Sequence, residues 1–431
     1  MIEKLTIQGF KSLKNVSLDL GLITVIIGPN RSGKSSVLHA LAALRQSLGQ
    51  GHLYANGQMI NLGSYQNILS TQSKEIKFVL TGKRFIDPAE LAPISRSDNK
   101  IEYVTYKYGV MFGSDAAWVW HSGEISCNGL RFKATLDSYG NQELEPRRIQ
   151  VDEIGAVDLA EAPYIAKPIV STMTFSSNTP TTSIMLRRVK DAYDKIFNVI
   201  FNDLDSFRFV PVLRGFDNHS YKLTGYNSDV IANPNVTIQA QYASNLLTYR
   251  RDKLEDKVSD WTEKITGARI YVRIEPPDLA ALRSRDGEVE TYLVNDGFGL
   301  NQIVIMLLAL AVAPEMSIIG IEEPEIHLHP RSQATLADIL TDVAKKEKKQ
   351  LIITTHSEHI LLRLLTAVAR RDLSPEELKV YYFERVGGET KVTNLAVNEK
   401  GQLEGGLKGF FEAELENWEK YLEALRPSKE R

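Results

Sequence analysis

Apolar residues in this chain fall into three kinds of run. Short, mostly apolar runs at Leu22–Ile27, Ser317–Ile321 and Leu351–Ile353 read as buried strands. Alternating runs, seen in Val16-Leu18-Leu20, Ile101-Tyr103-Thr105-Tyr106 and Trp118-Trp120, read as antiparallel strands. With Asn-Gly turns at 56–57 and 128–129, they predict a mainly β stretch from Leu5 to about Met173. Runs with helical spacing begin at Ser36–Leu48, where Val37, Leu38, Leu41 and Leu44 share a face. Helical patterning returns from Ser183 to about Asn202 and from about Thr237 to Ile265, interrupted at Phe209–Gly215. Ile303–Val312 is apolar all round, so it is a buried helix, and it is too short to span a membrane. Strands are expected at Lys379–Arg385 and Lys391–Leu395, then a terminal helix from about Phe410 to Leu425. No heptad pattern persists long enough for an extended coiled coil.

Candidate chemistry sits where these runs end. Between the first buried strand and the first helix lies Gly28-Pro29-Asn30-Arg31-Ser32-Gly33-Lys34-Ser35, which fits the phosphate loop G-x-x-x-x-G-K-[ST]. In that geometry the backbone amides of Asn30, Arg31, Ser32, Gly33 and Ser36 cradle the phosphates of ATP. Lys34 reaches the β/γ oxygens, and the Ser35 hydroxyl ligates Mg²⁺. Far downstream, the apolar strand 317–321 ends in Glu322-Glu323-Pro324-Glu325. Successive carboxylates at a buried strand's end are costly unless cations or water meet them, and the C-terminal edge of such strands is where α/β folds bind ligands. Glu322 is placed to hold Mg²⁺ and Glu323 to act as general base, with a solvated strand end as the alternative. His356, just past the end of the next strand, is a candidate γ-phosphate contact, with a purely structural histidine as the alternative. Gln66, in the polar segment Gly63-Ser64-Tyr65-Gln66-Asn67, is a candidate contact to Mg²⁺ and the attacking water, and an ordinary turn residue otherwise. Arg214 could reach a phosphate, a partner or a neighbouring carboxylate.

These segments together carry a family resemblance. The phosphate loop, Ile321–Pro330 (IEEPEIHLHP) and Thr354-Thr355-His356-Ser357 resemble ABC-type ATPases of the SMC/RecF/OLD group, as does the opening Ile7–Val16 (IQGFKSLKNV). The fold the resemblance implies is α/β: a P-loop core and an antiparallel β lobe forming an ATPase head, with a helical insertion. It implies that Lys11 and Ser12 border the phosphates. It also implies that Asn295–Gln302, including Gly297, Gly299 and Asn301, opens a helix that caps the γ-phosphate held by a partner subunit. The Ser-Gly-Gly-Gln common in that segment is absent here. OLD-type nucleases continue into a TOPRIM domain whose metal site needs a Glu and an Asp-x-Asp pair. The last Asp of this chain is Asp372, so no such site is expected after His356.

Composition changes the picture little. A chain of 431 residues, 43% hydrophobic and 24% charged, is expected to form more than one lobe. The expected organisation is residues 1–180 and 266–400 as two halves of the head, 181–265 as a helical insertion and 401–431 as a helical tail. The single cysteine, Cys127, rules out an internal disulfide framework and fits a reducing compartment. No membrane span or signal peptide is expected, so the expected location is cytoplasmic. A net charge of −3 exerts no global pull on nucleic acid. DNA contact would then rest on Arg187-Arg188-Lys190, Arg250-Arg251 or Lys345-Lys346-Lys348-Lys349, each otherwise a solvated face. The expected assembly is a homodimer or higher homo-oligomer closed through ATP-bound heads. Three functional classes follow: a DNA-related clamp for genome maintenance or anti-phage defence with a separate effector such as a nuclease, a slow-turnover scaffold that sequesters a partner protein, and a transporter subunit. The last is disfavoured by the N-terminal motif and the helical insert.

Overall fold

A computed structural model describes residues 1–48, 52–84, 104–113, 116, 118–127, 130–137, 148–151, 155–158, 200–223, 240–276 and 278–404. The first strands are β1 (Ile2–Phe10), β2 (Leu13–Asp19) and β3 (Ile23–Ile27), followed by β4 (Ile76–Arg84), β5 (Val104–Phe112) and β6 (Trp118–Cys127). Next come β7 (Leu130–Asp137), β8 (Arg148–Val151), β9 (Gly155–Asp158), β10 (Arg208–Val210), β11 (Ser220–Lys222) and β12 (Arg269–Glu275). The last are β13 (Leu279–Asp286), β14 (Val289–Tyr292), β15 (Ile318–Glu322), β16 (Gln350–Thr354), β17 (Leu378–Val386) and β18 (Glu389–Leu395). The helices are α1 (Lys34–Gln46), the single turn α2 (Tyr65–Ile68), α3 (Ala240–Tyr249) and α4 (Asp256–Thr266). They continue with α5 (Phe298–Val312), α6 (Pro330–Lys346) and α7 (Glu358–Ala369).

The short apolar runs meet in one sheet of order β10-β15-β16-β3-β17-β18, parallel throughout except for β18. Every residue of β3, β15 and β16 is buried, as continuous hydrophobic strands require when both faces are covered. Their side chains still alternate. Ile26, Ile318, Ile352, Tyr381 and Phe383 face α1 and the antiparallel sheet, while Val25, Ile321, Ile353 and Val380 face α5, α6 and α7. The eight-stranded antiparallel sheet, β2-β1-β4-β5-β6-β7-β8-β9, lies over α1, so α1 is a shared layer between two sheets. A third sheet, β11-β13-β12 with β14 on β13, closes over the helices on the opposite side. This is the α/β class expected, with a β lobe beside a parallel core. Among the described residues no helix is long and apolar enough to cross a membrane.

Several expectations shift in detail. Helix α1 starts two residues early because Gly33, at φ 100°, turns the chain straight into it. Helix α5 likewise begins at Phe298, behind Gly297 at φ 40°. The single helix expected over 237–265 is corrected to α3 and α4, separated by a π-helical turn at Arg251–Glu255. The segment 209–215, expected only as an interruption, contributes β10, with Phe209 opposite Gly320 of β15. Three residues are too few to show a period, and their partner is remote in sequence. The expected helices at 183–199 and 410–425, the turn at 128–129 and the basic run at 187–190 lie outside the described residues.

Gly320 shows how tightly α1 is seated. A Cβ there would stand 2.9 Å from Leu38 Cδ2 and 3.0 Å from Phe207 Cζ. Gly320→Val should therefore destabilise the fold by about 1–3 kcal/mol through overpacking, measured as a lowered denaturant midpoint with an unchanged slope.

Candidate active site

The phosphate loop leaves β3 at Gly28, whose φ of 145° suits glycine and where a Cβ would collide with the Phe383 carbonyl of neighbouring β17. At its far end a Cβ on Gly33 would strike the hydroxyls of Thr390 and Ser12. Thr390 Oγ1 lies 2.8 Å from both Ser12 Oγ and Ser32 O, and the Thr390 amide donates to Ser12 O. The turn between β1 and β2 and the start of β18 thus clamp the loop from two sides. No side chain caps the N-terminus of α1, and while the Ser36 amide donates to Gly33 O, those of Lys34 and Ser35 are placed to meet an anion. Lys34 Nζ donates to Gly28 O and Pro29 O, both at 2.9 Å. Burial lowers its pKa, while Glu323 and Glu325 work the other way.

Above this loop is a cavity of about 750 Å³. Its wall brings together Lys11, Ser12, Asn30, Arg31, Gly33, Lys34, Ser35, Ser36, Glu323 and His356. Glu322 lies behind them, 4% exposed. Burial would push its pKa up, yet contacts from His39, Ser35 and the Val212 amide hold it below the ordinary carboxylate value. Val212 N donates to Oε2 at 3.2 Å, and His39 Nε2 stands 3.0 Å from Oε1. The Lys11 ammonium can only donate, so its 3.0 Å contact with His39 Nδ1 puts the ring proton on Nε2, facing Glu322. That contact is poorly aligned, leaving Glu322 Oε1 without a well-directed hydrogen bond, and Thr354 Oγ1 on the paired strand is also unpartnered. A buried, under-satisfied carboxylate oxygen near the Ser35 hydroxyl suits a hard cation such as Mg²⁺. Among the described residues no cluster of three His, Cys, Asp or Glu could hold a metal alone, so Mg²⁺ would be shared with phosphate.

Glu323 turns out of the sheet at φ 40°, its amide donating to Thr354 O at 2.8 Å. Its Oε1 stands 3.8 Å from His356 Nε2. Burial and the Lys34 charge lower the His356 pKa against the pull of Glu323, which favours the neutral ring. Glu325 accepts from the His356 amide at 2.7 Å, and burial raises its own pKa. Arg214 binds backbone here, donating to Glu322 O at 2.9 Å, Glu323 O at 3.0 Å and Pro211 O at 2.7 Å. Burial brings its pKa down to about 10 despite the three glutamates nearby.

Other expected residues lie elsewhere. Ser32 is buried beneath the loop, off the cavity wall. Gln66 is exposed, and its neighbour Asn67 lines the cavity instead, one residue further round the turn of α2. Gly297, Gly299 and Asn301 do not line it. Asn301 is buried and pairs with Phe216, while a Cβ on Gly299 would come within 2.5 Å of His327 O. The basic run near 345 is largely neutralised: Lys345 pairs with Glu377, Lys346 with Asp342, and buried Lys349 with Glu347. His39 escaped sequence reading, although it falls one helical turn after Ser35 and so on the same face.

The family model described as AAA ATPase domain matches residues 1–151 and 160–361. Comparison with curated proteins found no match. Among solved structures, an SMC head bound to the C-winged helix domain of ScpA is 14% identical, covers 92% of this chain and 98% of its own, and has a TM-score of 0.45. The SMC head domain from Thermotoga maritima is 13% identical, with coverages of 92% and 99% and a TM-score of 0.40. An SMC head with an extended coiled coil, bound to the C-terminal domain of ScpA derived from Pyrococcus furiosus, is 14% identical, with coverages of 99% and 99% and a TM-score of 0.42.

Lys34→Ala should weaken equilibrium binding of fluorescent Mg·ATP roughly 10- to 100-fold, the range for a hydrogen bond to a charged group. Unchanged binding in the folded variant would remove Lys34 from the phosphate site.

Proposed function

The chain belongs to the AAA ATPase domain family, and on that premise we propose that it binds and hydrolyses Mg·ATP in this cavity as a nucleotide-controlled homodimer. The observation that carries this is the convergence of Lys34, Ser35, Glu322, Glu323 and His356, from three separate segments, at the C-terminal edge of one parallel sheet. Lys34 exchanges its two loop carbonyls for phosphate oxygens as ATP arrives, and the free amides of α1 take up the remaining charge. Ser35 and Glu322 would hold Mg²⁺, which when bound would supply charge neutralisation at the phosphoryl group. Glu323, half-exposed on the cavity wall, accepts the proton of the attacking water. His356 stands beside it, where it would hydrogen-bond the γ-phosphate.

The start of α5 lies off its own cavity and presents Phe298, 73% exposed, to solvent. This supports a shared site in which α5 of one subunit closes the nucleotide of the other, so that ATP promotes assembly and hydrolysis releases it. Because Lys345, Lys346 and Lys349 are ion-paired, the reading favours an ATP-timed switch acting through a separate effector protein, such as a nuclease in DNA maintenance or defence, over a head that grips DNA with that face.

Two experiments test this. Glu323→Gln should cut turnover roughly 10²–10⁴-fold, the usual loss of a general base, while labelled ATP still binds; wild-type turnover in the variant rejects the assignment. Phe298→Glu leaves the fold intact, since a carboxylate is favourable in a helix's first turn, but opposes the partner's γ-phosphate. Mixed with Lys34→Ala subunits, it should restore activity through heterodimers carrying one unspoiled site. No recovery, with heterodimers shown to form, means each site is complete within one chain.

A further inference from the structure

One short loop touches both chemical halves of the subunit. It follows β10 and runs from Pro211 to Phe216, and its apolar tip, Leu213, is 86% exposed. Hydrophobic burial therefore does not hold that tip in place, and its neighbours make polar ties in two directions. Toward the catalytic strand, the Val212 amide donates to the Glu322 carboxylate, and Arg214 forks across the carbonyls of Glu322 and Glu323. Toward α5, both backbone groups of Phe216 bind the Asn301 side chain, N to Oδ1 at 2.6 Å and O from Nδ2 at 2.9 Å. Gly215 between them sits at φ 143°, a conformation that brings the two anchors back to back.

We propose that the 211–216 loop is a coupling strap, with Arg214 as a positioning residue, which makes the Glu322–Glu323 strand end and the first turn of α5 move as one unit. The inference rests on the ATPase reading, in which that strand end serves the subunit's own nucleotide and α5 serves the partner's. A direct tie between them lets each site sense whether the other is engaged. Arg214 suits the task because a planar fork spans two adjacent carbonyls, which a single ammonium cannot do with the same geometry. It also fixes Glu323 at its positive φ, which aims the side chain at the cavity.

The test uses the full chain with Arg214→Met, Arg214→Lys and the near-isosteric Asn301→Asp, which keeps the acceptor for Phe216 N but loses the donor to Phe216 O. Arg214 is absent from the cavity wall, so Mg·ATP affinity and KM should stay within about twofold. The kcat of Arg214→Met should fall roughly 10- to 100-fold, the cost of misplacing a reacting group by about an ångström, and Arg214→Lys should recover only part of it. Hydrogen exchange supplies a readout independent of turnover. Arg214→Met should speed exchange in residues 298–303, and Asn301→Asp should speed it in 320–326, although neither mutated side chain contacts the segment that responds. Exchange changes confined to each variant's own contacts would overturn the strap, as would unchanged kcat in Arg214→Met. If wild-type protein shows no ATP turnover, the ATPase reading fails while the exchange experiment still decides whether the two elements are tied.

Discussion

A carboxylate removed from water must find replacement donors or lose its charge, and Glu322 imposes that demand on everything around it. Its partners come from different parts of the chain: Ser35 and His39 from α1, the Val212 amide from the loop after β10, and Lys11 behind His39 from the turn after β1. Each is brought in by a separate packing decision. The wider cluster balances, with Lys11, Lys34 and Arg214 set among Glu322, Glu323 and Glu325. The charges hold one another in place at the end of the sheet, and Glu322 Oε1, 3.0 Å from His39 Nε2, has no well-directed hydrogen bond.

The core was legible because burial on both faces leaves an unmistakable trace. Strands β3, β15 and β16 are mostly apolar and wholly buried, and the chemistry falls at their ends, where polar residues resume. What the sequence hid has physical reasons. Strand β10 is three residues long and defined only by pairing with β15. Helices α3 and α4 keep one hydrophobic pattern through the π turn between them, because an extra residue per turn moves the stripe without erasing it. Gln66 and Asn67 are chemically alike, and only the orientation of a single helical turn decides which meets the cavity. Arg214 was visible as a loop arginine, but its targets are backbone carbonyls, which carry no sequence signature.

The clamp on the phosphate loop illustrates the same limit. Thr390, on a hairpin turned by Gly387 and Gly388 at positive φ, reaches Ser12 and Ser32 from the far end of the chain. Ser32 is thereby committed to the loop's frame, and Lys14 pairs with Glu389 alongside. A motif of eight residues encodes the cradle; its rigidity is supplied by residues remote from it.

Helix α1 carries that cradle at one end and is enclosed along its length by two sheets, with Val37, Leu38, Ala40, Ala42 and Ala43 fully buried. Close-packed interiors compress very little. A displacement of α1 at the phosphate end would meet close-packed side chains on both faces and so would be felt in the antiparallel sheet. On the ATPase reading proposed above, α1 would serve as a pushrod, with the β lobe above it as the follower that receives the stroke.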